Sequence, residues 1–213
     1  DFQDLGPTDT REVTFTYTAT DADGGVSEPA TVTITVTGNN DIPVALPDTN
    51  ATDEDTAIID SVVPEATDID SDIDQNGYVL VDDVAEGVLT FNADGSYSFD
   101  PGAAFQDLGP DDTREVTFTY TATDVDGGVS EPATVTITVN GLNDNPVALP
   151  DTNATDEDTA IVDGIVPMAT DVDGMIVPDG YALVDDVSEG VLTFNADGSY
   201  SFEPGVEEQN IVE

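Results

Sequence analysis

The sequence predicts an all-β chain built from tandem sandwich domains, and three observations carry that expectation. Segments such as VTFTYTAT (13–20) and TVTITV (31–36) alternate apolar and polar residues strictly, the mark of half-buried strands. The chain repeats itself at a period of 103: Val13 matches Val116, Asp53 matches Asp156 and Val88 matches Val191. No segment shows the helical period of about 3.6 residues.

The repeat is too long for a solenoid unit of roughly 20–50 residues. It is the size of an immunoglobulin-like sandwich, roughly 100 residues. Its phase is set by Pro43 and Pro146, each lying shortly after an alternating strand. Pro and polar residues end strands and mark linkers. One complete domain is therefore expected over 42–143. Residues 1–41 read as the last strands of a preceding domain and 144–213 as the opening strands of a following one. The chain reads as an excerpt from a longer protein.

Within the complete domain the elements follow in order. VALPDTNATDEDTAII (44–59) holds a first strand and its continuation, and GYVLVDD (77–83) a short strand. GVLTFNADGSYSFDP (87–101) is a hairpin. Leu89 and Phe91 lead in, Asn92–Gly95 turn, and Tyr97 and Phe99 lead out; Asp-Gly between alternating apolar residues is a strong hairpin signal. REVTFTYTAT (114–123) puts Val116, Phe118, Tyr120 and Ala122 on one face and Thr117, Thr119 and Thr121 on the other. ATVTITV (133–139) does the same with Val135, Ile137 and Val139. About seven strands with turns every 8–12 residues spell an immunoglobulin-like sandwich. The aromatics alternate inward and are expected in the core.

Charge narrows the function. There are 47 acidic residues against two basic ones, Arg11 and Arg114, giving a net charge of -45 over 213 residues, with no Lys, His or Cys. Internal salt bridges cannot neutralise such a chain, and self-repulsion opposes compaction. High salt or bound divalent cations must supply positive charge. Nucleic acid binding needs Lys and Arg to displace counterions, so no nucleic-acid partner is expected. No apolar run approaches the roughly 18 residues of a membrane span, so no membrane insertion is expected either. Without disulfides, metal is the expected staple of a secreted protein.

The acids cluster at both ends of the expected sandwich. Asp124 and Asp126 in TDVDGG belong at the tip where the domain begins, because the last hairpin turn lies there. Asp68 and Asp70 in TDID share that tip, and Asn40 and Asp41 sit in the linker above it. Three separated segments then converge oxygen ligands, which suits Ca2+ with its six to eight oxygens better than Mg2+. Glu54, about ten residues past the linker at roughly 3.3 Å per residue, reaches the far tip. There it is expected to meet Asn143, Asp144 and Asn145 of the next linker and Asp171 and Asp173 of the next TDVDG, with Asp111 and Asp112 adding to that base.

At this point a resemblance is evident. YTATDVDGGVSEPATVTITVNGLNDNPVA (120–148) resembles the end of a cadherin repeat running into its calcium linker. The longer stretch from FQDLGPDDTREVTFTY to NGLND (105–144) resembles the VCBS repeats of giant bacterial surface proteins and RTX-type adhesins. The resemblance implies tandem cadherin-like β-sandwiches, with calcium at the joints, that hold an adhesive tip away from the cell. It implies linker ligands at Asn40 with Asp41 and Asn143 with Asp144. It pairs Asp68 with Asp70 and Asp171 with Asp173, and it makes Asp124 the tip aspartate and Glu54 the base glutamate. Two departures stand out. The cadherin linker opens with an acid where this chain has Gly38 and Gly141. Its last Asn is Asn145 in one linker but Ile42 in the other, so the joints are expected to differ in ion number.

Competing motifs fare worse. DIDSDIDQNG (68–77) fails as an EF-hand, because position 6 counted from Asp70 is Gln75 and position 12 is Val81. The second copy, DVDGMIVPDG, keeps only its first two acids. A glycosidase-like carboxylate pair arises by chance in so acidic a chain, and no His, Lys or Cys is available for other chemistry, so no enzyme is expected. The leading reading is a calcium-rigidified structural extender of a large secreted adhesin. Its partners are neighbouring repeats, with cell-surface glycans or proteins reached through other domains. Its place is the bacterial cell surface, reached by type I secretion. A second reading is a carbohydrate- or ligand-binding accessory module, and a third is a halophilic surface protein whose acids only retain water. Residues 1–41 and 144–205 together make about one repeat, which predicts joining between molecules, tail to head.

Overall fold

The alternating segments form strands in a computed structural model that describes residues 2–205. By its internal contacts the chain divides into two units, Asp1–Phe105 with Thr113–Asn140, and Gln106–Asp112 with Gly141–Glu213.

The first unit opens with β1 (Thr10–Tyr17) and β2 (Ala30–Thr37), an antiparallel hairpin paired over eight positions from Thr10↔Thr37 to Tyr17↔Ala30. Seven strands follow: β3 (Asp48–Asp53), β4 (Ile58–Val62), β5 (Val79–Asp82), β6 (Val88–Phe91), β7 (Ser96–Asp100), β8 (Thr113–Thr121) and β9 (Ala133–Asn140). They make two sheets, ordered β3-β9-β8-β5 and β4-β7-β6. β3 runs parallel to β9, and every other pairing is antiparallel. One 3-10 turn at Gly102–Ala104 is the sole helical element among the described residues.

The segment expected to hold a first strand and its continuation is divided between the two sheets, β3 in one and β4 in the other. The break falls at Glu54–Ala57. β4 is itself irregular: its register against β7 shifts between Ile58 and Ser61, and Asp60 lies there at φ 53°. Asp tolerates this left-handed conformation better than most residues.

The core is what the alternation predicts. Val116, Phe118, Tyr120 and Ala122 from β8 and its extension, and Val135, Ile137 and Val139 from β9, are buried. Tyr97 and Phe99 of β7 meet them from the other sheet. Phe118 stands edge-on to Tyr97 at 5.1 Å and to Phe91 at 5.8 Å. The Tyr120 hydroxyl donates to the Leu46 carbonyl at 2.6 Å, which ties the chain ahead of β3 to the sheet. Burying each such aromatic contributes about 1.5–3 kcal/mol. Tyr97, Phe99, Phe118 and Tyr120 lie in the core, as their alternation predicts.

Arg114 lies over the Phe105 ring at 5.5 Å and donates to the Ala104 carbonyl. Arg11 occupies the equivalent place, over Phe2 at 5.7 Å and paired with Asp4 at 2.6 Å. Both cations therefore hold the loop that precedes their strand.

The second unit holds β10 (Ile161–Ile165), β11 (Val191–Phe194) and β12 (Ser199–Glu203), ordered β10-β12-β11. This copies β4-β7-β6, down to a register shift between Ile161 and Gly164 and a left-handed Asp163 at φ 56°. Residues 151–156 and 182–185, the counterparts of β3 and β5, carry no strand. β3 is held by β9 and β5 by β8, and among the described residues of this unit there is no counterpart of β8 or β9.

Candidate metal centre

The turn between β8 and β9 is built on Asp124. Its Oδ1 accepts the N–H groups of Asp126 and Gly128, both at 2.8 Å. This is the Asx-turn geometry for which Asp and Gly are suited. Asp124 is 2% exposed, whereas Asp126 is exposed and serves the turn through its backbone. The linker comes down onto this turn, and Asn40 Nδ2 donates to Asp124 Oδ2 at 3.0 Å. The Asp41 N–H donates to Asp70 Oδ2 at 3.2 Å. In the third segment, the Asp70 and Ser71 N–H groups both donate to Asp68 Oδ1 at 3.0 Å. The structure thus brings Asn40, Asp41, Asp68, Asp70 and Asp124 to one end of the sandwich.

Four buried oxygens there have no hydrogen-bond partner: Asn40 Oδ1, Asp68 Oδ2, Asp70 Oδ1 and Ser71 Oγ. An unsatisfied buried polar atom costs about 1–3 kcal/mol, and more when charged. The electrostatics carry the same imprint. Burial raises the Asp70 carboxyl above its ordinary value, and the adjoining Asp68 charge adds to that against the Asp41 N–H. For Asp68, burial pulls upward, but the N–H groups of Asp70 and Ser71 outweigh it and the net direction is down. A divalent cation would relieve both the repulsion and the unmet oxygens. Among the described residues no three carboxylates lie close enough together to form a preformed metal cluster. Linker amide, paired aspartates and turn aspartate nevertheless fit an oxygen-seeking cation of flexible coordination. Ser71 was not singled out in the sequence, and a hydroxyl three positions after Asp68 offers no motif of its own.

In the second unit the Asp144 N–H donates to Asp173 Oδ2 at 3.2 Å. Asp171 Oδ1 accepts from the Asp173 N–H at 3.3 Å and the Gly174 N–H at 2.8 Å. Asp173 Oδ1 is buried without a partner. This repeats the Asp41–Asp70–Asp68 arrangement 103 positions later. Asn143 Nδ2 turns back onto the Asp144 carbonyl at 2.7 Å, and Asn145 is exposed. An open concavity beside them is lined by Gln106, Asp144, Asn145, Thr170 and Asp171. Asp112 accepts the Gly109 N–H within its own loop, and Asp111 is exposed. Glu54 follows β3 in the first unit, 2% exposed, with its N–H donating to the Asn140 carbonyl at 3.0 Å. The β3–β9 register sets it at the opposite end of the sandwich from Asp124.

The glycines that replace the linker's opening acid have a structural reason. A Cβ on Gly38 would overlap the carbonyl oxygens of Leu5 and Gly6, and one on Gly141 those of Leu108 and Gly109. The loop ahead of the preceding strand crosses the linker there, leaving no room for any side chain. Gly128 is similarly confined: a Cβ would overlap Asp124 Oδ2 and come within 2.6 Å of Asn40 Nδ2.

Residues 40–141 match the family model of the bacterial cadherin-like domain, and this repeat is cadherin-like. No curated protein matches the chain. Among solved structures the chain is similar to protocadherin gamma B2 extracellular cadherin domains 1–5, at 14% identity, 93% of this chain, 46% of that one and a TM-score of 0.43. It is similar to Drosophila N-cadherin EC1-4, at 18% identity, 94% of this chain, 51% of that one and a TM-score of 0.41. It is similar to chicken VE-cadherin EC1-2, at 19% identity, 62% of this chain, 67% of that one and a TM-score of 0.33. The chain spans about half the length of the first two.

Proposed function

We propose that residues 42–143 are one complete cadherin-like repeat of a large secreted bacterial adhesin, flanked by parts of two others in 1–41 and 144–213. Its task is extension, holding an adhesive region away from the cell while calcium stiffens each joint. The ligands at the first linker are Asn40, Asp41, Asp68, Asp70 and Asp124, with Ser71 added. At the second linker they are Asn143, Asp144, Asn145, Asp171 and Asp173. Glu54 is the buried base carboxylate. Asp126 supports the turn through its N–H and lends charge to its rim. The carrying observation is the set of buried oxygens without partners where linker and turns meet. Such a set is costly alone and is met by an ion that takes six to eight oxygens.

Charge supports the same reading. A net charge of -45 disfavours the compact state until cations bind. In calcium-poor cytosol the chain stays loose and exportable, and it folds on reaching calcium outside the cell, in keeping with type I secretion. Among the described residues no helix is long and apolar enough to cross a membrane.

The test is a thermal melt by circular dichroism in EDTA and in millimolar calcium, with magnesium and molar sodium chloride as controls. A ligand at 100 times its Kd contributes about 2.7 kcal/mol per site. For a domain of this size that raises the midpoint by about 10–20 °C. A rise specific to calcium is expected. Equal rescue by sodium chloride overturns the assignment and leaves screening alone, as in a halophilic surface protein.

A further inference from the structure

Arg11 and Arg114 are the only Lys or Arg side chains in the chain, and they stand 103 positions apart, at the same place in the repeat. Each comes straight after a loop of the same make, FQDLGPTDT (2–10) and FQDLGPDDT (105–113). The first loop is two tight turns in succession. The Leu5 N–H donates to the Phe2 carbonyl at 3.2 Å, and the Asp9 N–H to the Gly6 carbonyl at 2.9 Å. Arg11 closes the loop. Its guanidinium donates to both Asp4 carboxylate oxygens, at 3.2 and 2.6 Å, and lies over the Phe2 ring at 5.7 Å. A two-pronged Arg–carboxylate pair is the strong form of such a bond, and the ring adds a cation–π attraction.

The closed loop lies on the linker. Leu5 and Gly6 are buried. The Gly38 N–H donates to the Asp9 carbonyl at 2.9 Å, and the Leu5 and Gly6 carbonyls fill the space that a Gly38 side chain would need. A Cβ on Gly6 would come within 3.4 Å of the Asp70 carbonyl oxygen, so the loop also reaches the paired-aspartate segment beyond the linker. The second loop makes the same contacts. The Gly141 N–H donates to the Asp112 carbonyl at 2.9 Å. Leu108 is buried, and Gly109 backs onto the Asp173 carbonyl.

We propose that this loop is a clasp by which one repeat grips the linker and the paired-aspartate segment of the next, and that Arg11, with its counterpart Arg114, is the latch that positions the linker through it. Gly38 lies two residues ahead of Asn40 and three ahead of Asp41. Holding Gly38 therefore sets where Asn40 meets Asp124 and where the Asp41 N–H meets Asp70. The clasp is made of backbone hydrogen bonds, one buried Leu and one latched cation, and it uses no metal. It rests on the proposed function only in that the groups it places are the calcium ligands. A linker ordered in advance leaves less ordering to be done on binding, which is how preorganisation raises affinity. The clasp also accounts for glycine at the linker's opening position, because the loop carbonyls stand where an acidic side chain would begin.

The test is amide hydrogen exchange of the full chain in millimolar calcium, read residue by residue by NMR, since exchange reports local opening. Arg11→Ala should speed exchange of the Gly38 N–H roughly threefold to tenfold, the scale of one exposed ion pair with its ring contact. Amides of the β8–β9 pairing should keep their rates, and those within β1–β2 should change less than Gly38. Arg11→Lys keeps the charge but loses the two-pronged pairing and should fall between. Gly38→Ala drives a methyl group into the two loop carbonyls and should speed exchange at position 38 on the order of tenfold or more, as overpacking does. Adding Arg11→Ala to Gly38→Ala should then change little, because the latch holds a clasp already displaced; such non-additivity is the mark of coupled residues. Unchanged Gly38 exchange in Arg11→Ala overturns the proposal. So does equal acceleration throughout β1–β2, which would make Arg11 a support of the hairpin only. A full Arg11→Ala effect in the Gly38→Ala background also overturns it. Absence of a calcium-specific rise in melting midpoint, with these exchange effects intact, would count against the metal ligands alone.

Discussion

Phe15 and Phe118 offer a comparison in which the chemistry is held constant. Both sit in the same heptapeptide, REVTFTY, in the same position of the same kind of strand. Phe118 is fully buried between Tyr97 and Phe91, whereas Phe15 is 52% exposed. Replacing Phe118 by Ala removes its transfer free energy and leaves a cavity that edge-on rings cannot fill, a loss of about 3–5 kcal/mol. For a repeat of about 100 residues that lowers the midpoint by about 12–40 °C. Phe15→Ala removes a ring already half in water and costs less than about 1.5 kcal/mol. Urea unfolding followed by tyrosine fluorescence, at low micromolar chain and fixed calcium, reads both. A fall in midpoint denaturant at constant slope measures stability. Equal losses would refute the reasoning, since the hairpin face would then be covered in the dilute chain. A loss below 1 kcal/mol for Phe118→Ala would show that the two sheets are not packed as described.

Two further outcomes follow from the linker. Gly128→Ala drives a methyl group into Asp124 and Asn40 and is expected to cost about 1–3 kcal/mol, as overpacking does; an unchanged thermal midpoint would mean the turn is looser than its hydrogen bonds imply. Asp70 is raised by burial and by Asp68, so protons compete for it first as pH falls through the upper carboxylate range, and calcium affinity should weaken over that window; a calcium titration flat between pH 7 and 4 would remove Asp70 from the ligands. Asp94 and Asp197 behave oppositely, lowered chiefly by the Ser96 and Ser199 hydroxyls. Their stabilising contribution is complete above the ordinary carboxylate value and is lost as pH falls through their depressed values. Ser96→Ala should flatten that acid limb in a pH series of urea midpoints, and an unaltered limb would refute it.

Period-two alternation made β8 and β9 legible, because each has one face in the core and one in water. The turn at Asn92–Gly95 was legible through its residue chemistry. β3 was harder to bound: DTNATD has few apolar residues to alternate, and the pairing that makes it a strand comes from β9, some 90 positions away. The same letters at 151–156 form no strand, so local sequence does not decide its state. At the linker, residue type and spacing pointed to the paired aspartates and to Asp124. They did not say which carboxylate oxygens are spent on backbone N–H groups and which lie buried without partners. Ser71 and the crowding at Gly38, Gly141 and Gly128 depend on how three segments meet, and no single stretch of sequence records that.

The parallel pairing of β3 with β9 has a mechanical consequence. The chain comes into the repeat at the linker end, just ahead of β3, and leaves it at the far end of β9. Tension along the chain therefore drags β3 and β9 past each other lengthwise, in opposite directions. The register from Asp48↔Val135 to Asp53↔Asn140 is then loaded in shear, and its hydrogen bonds must yield together, not one at a time as in an unzipping hairpin. A repeat connected in this way resists pulling along its length far better than peeling from its side.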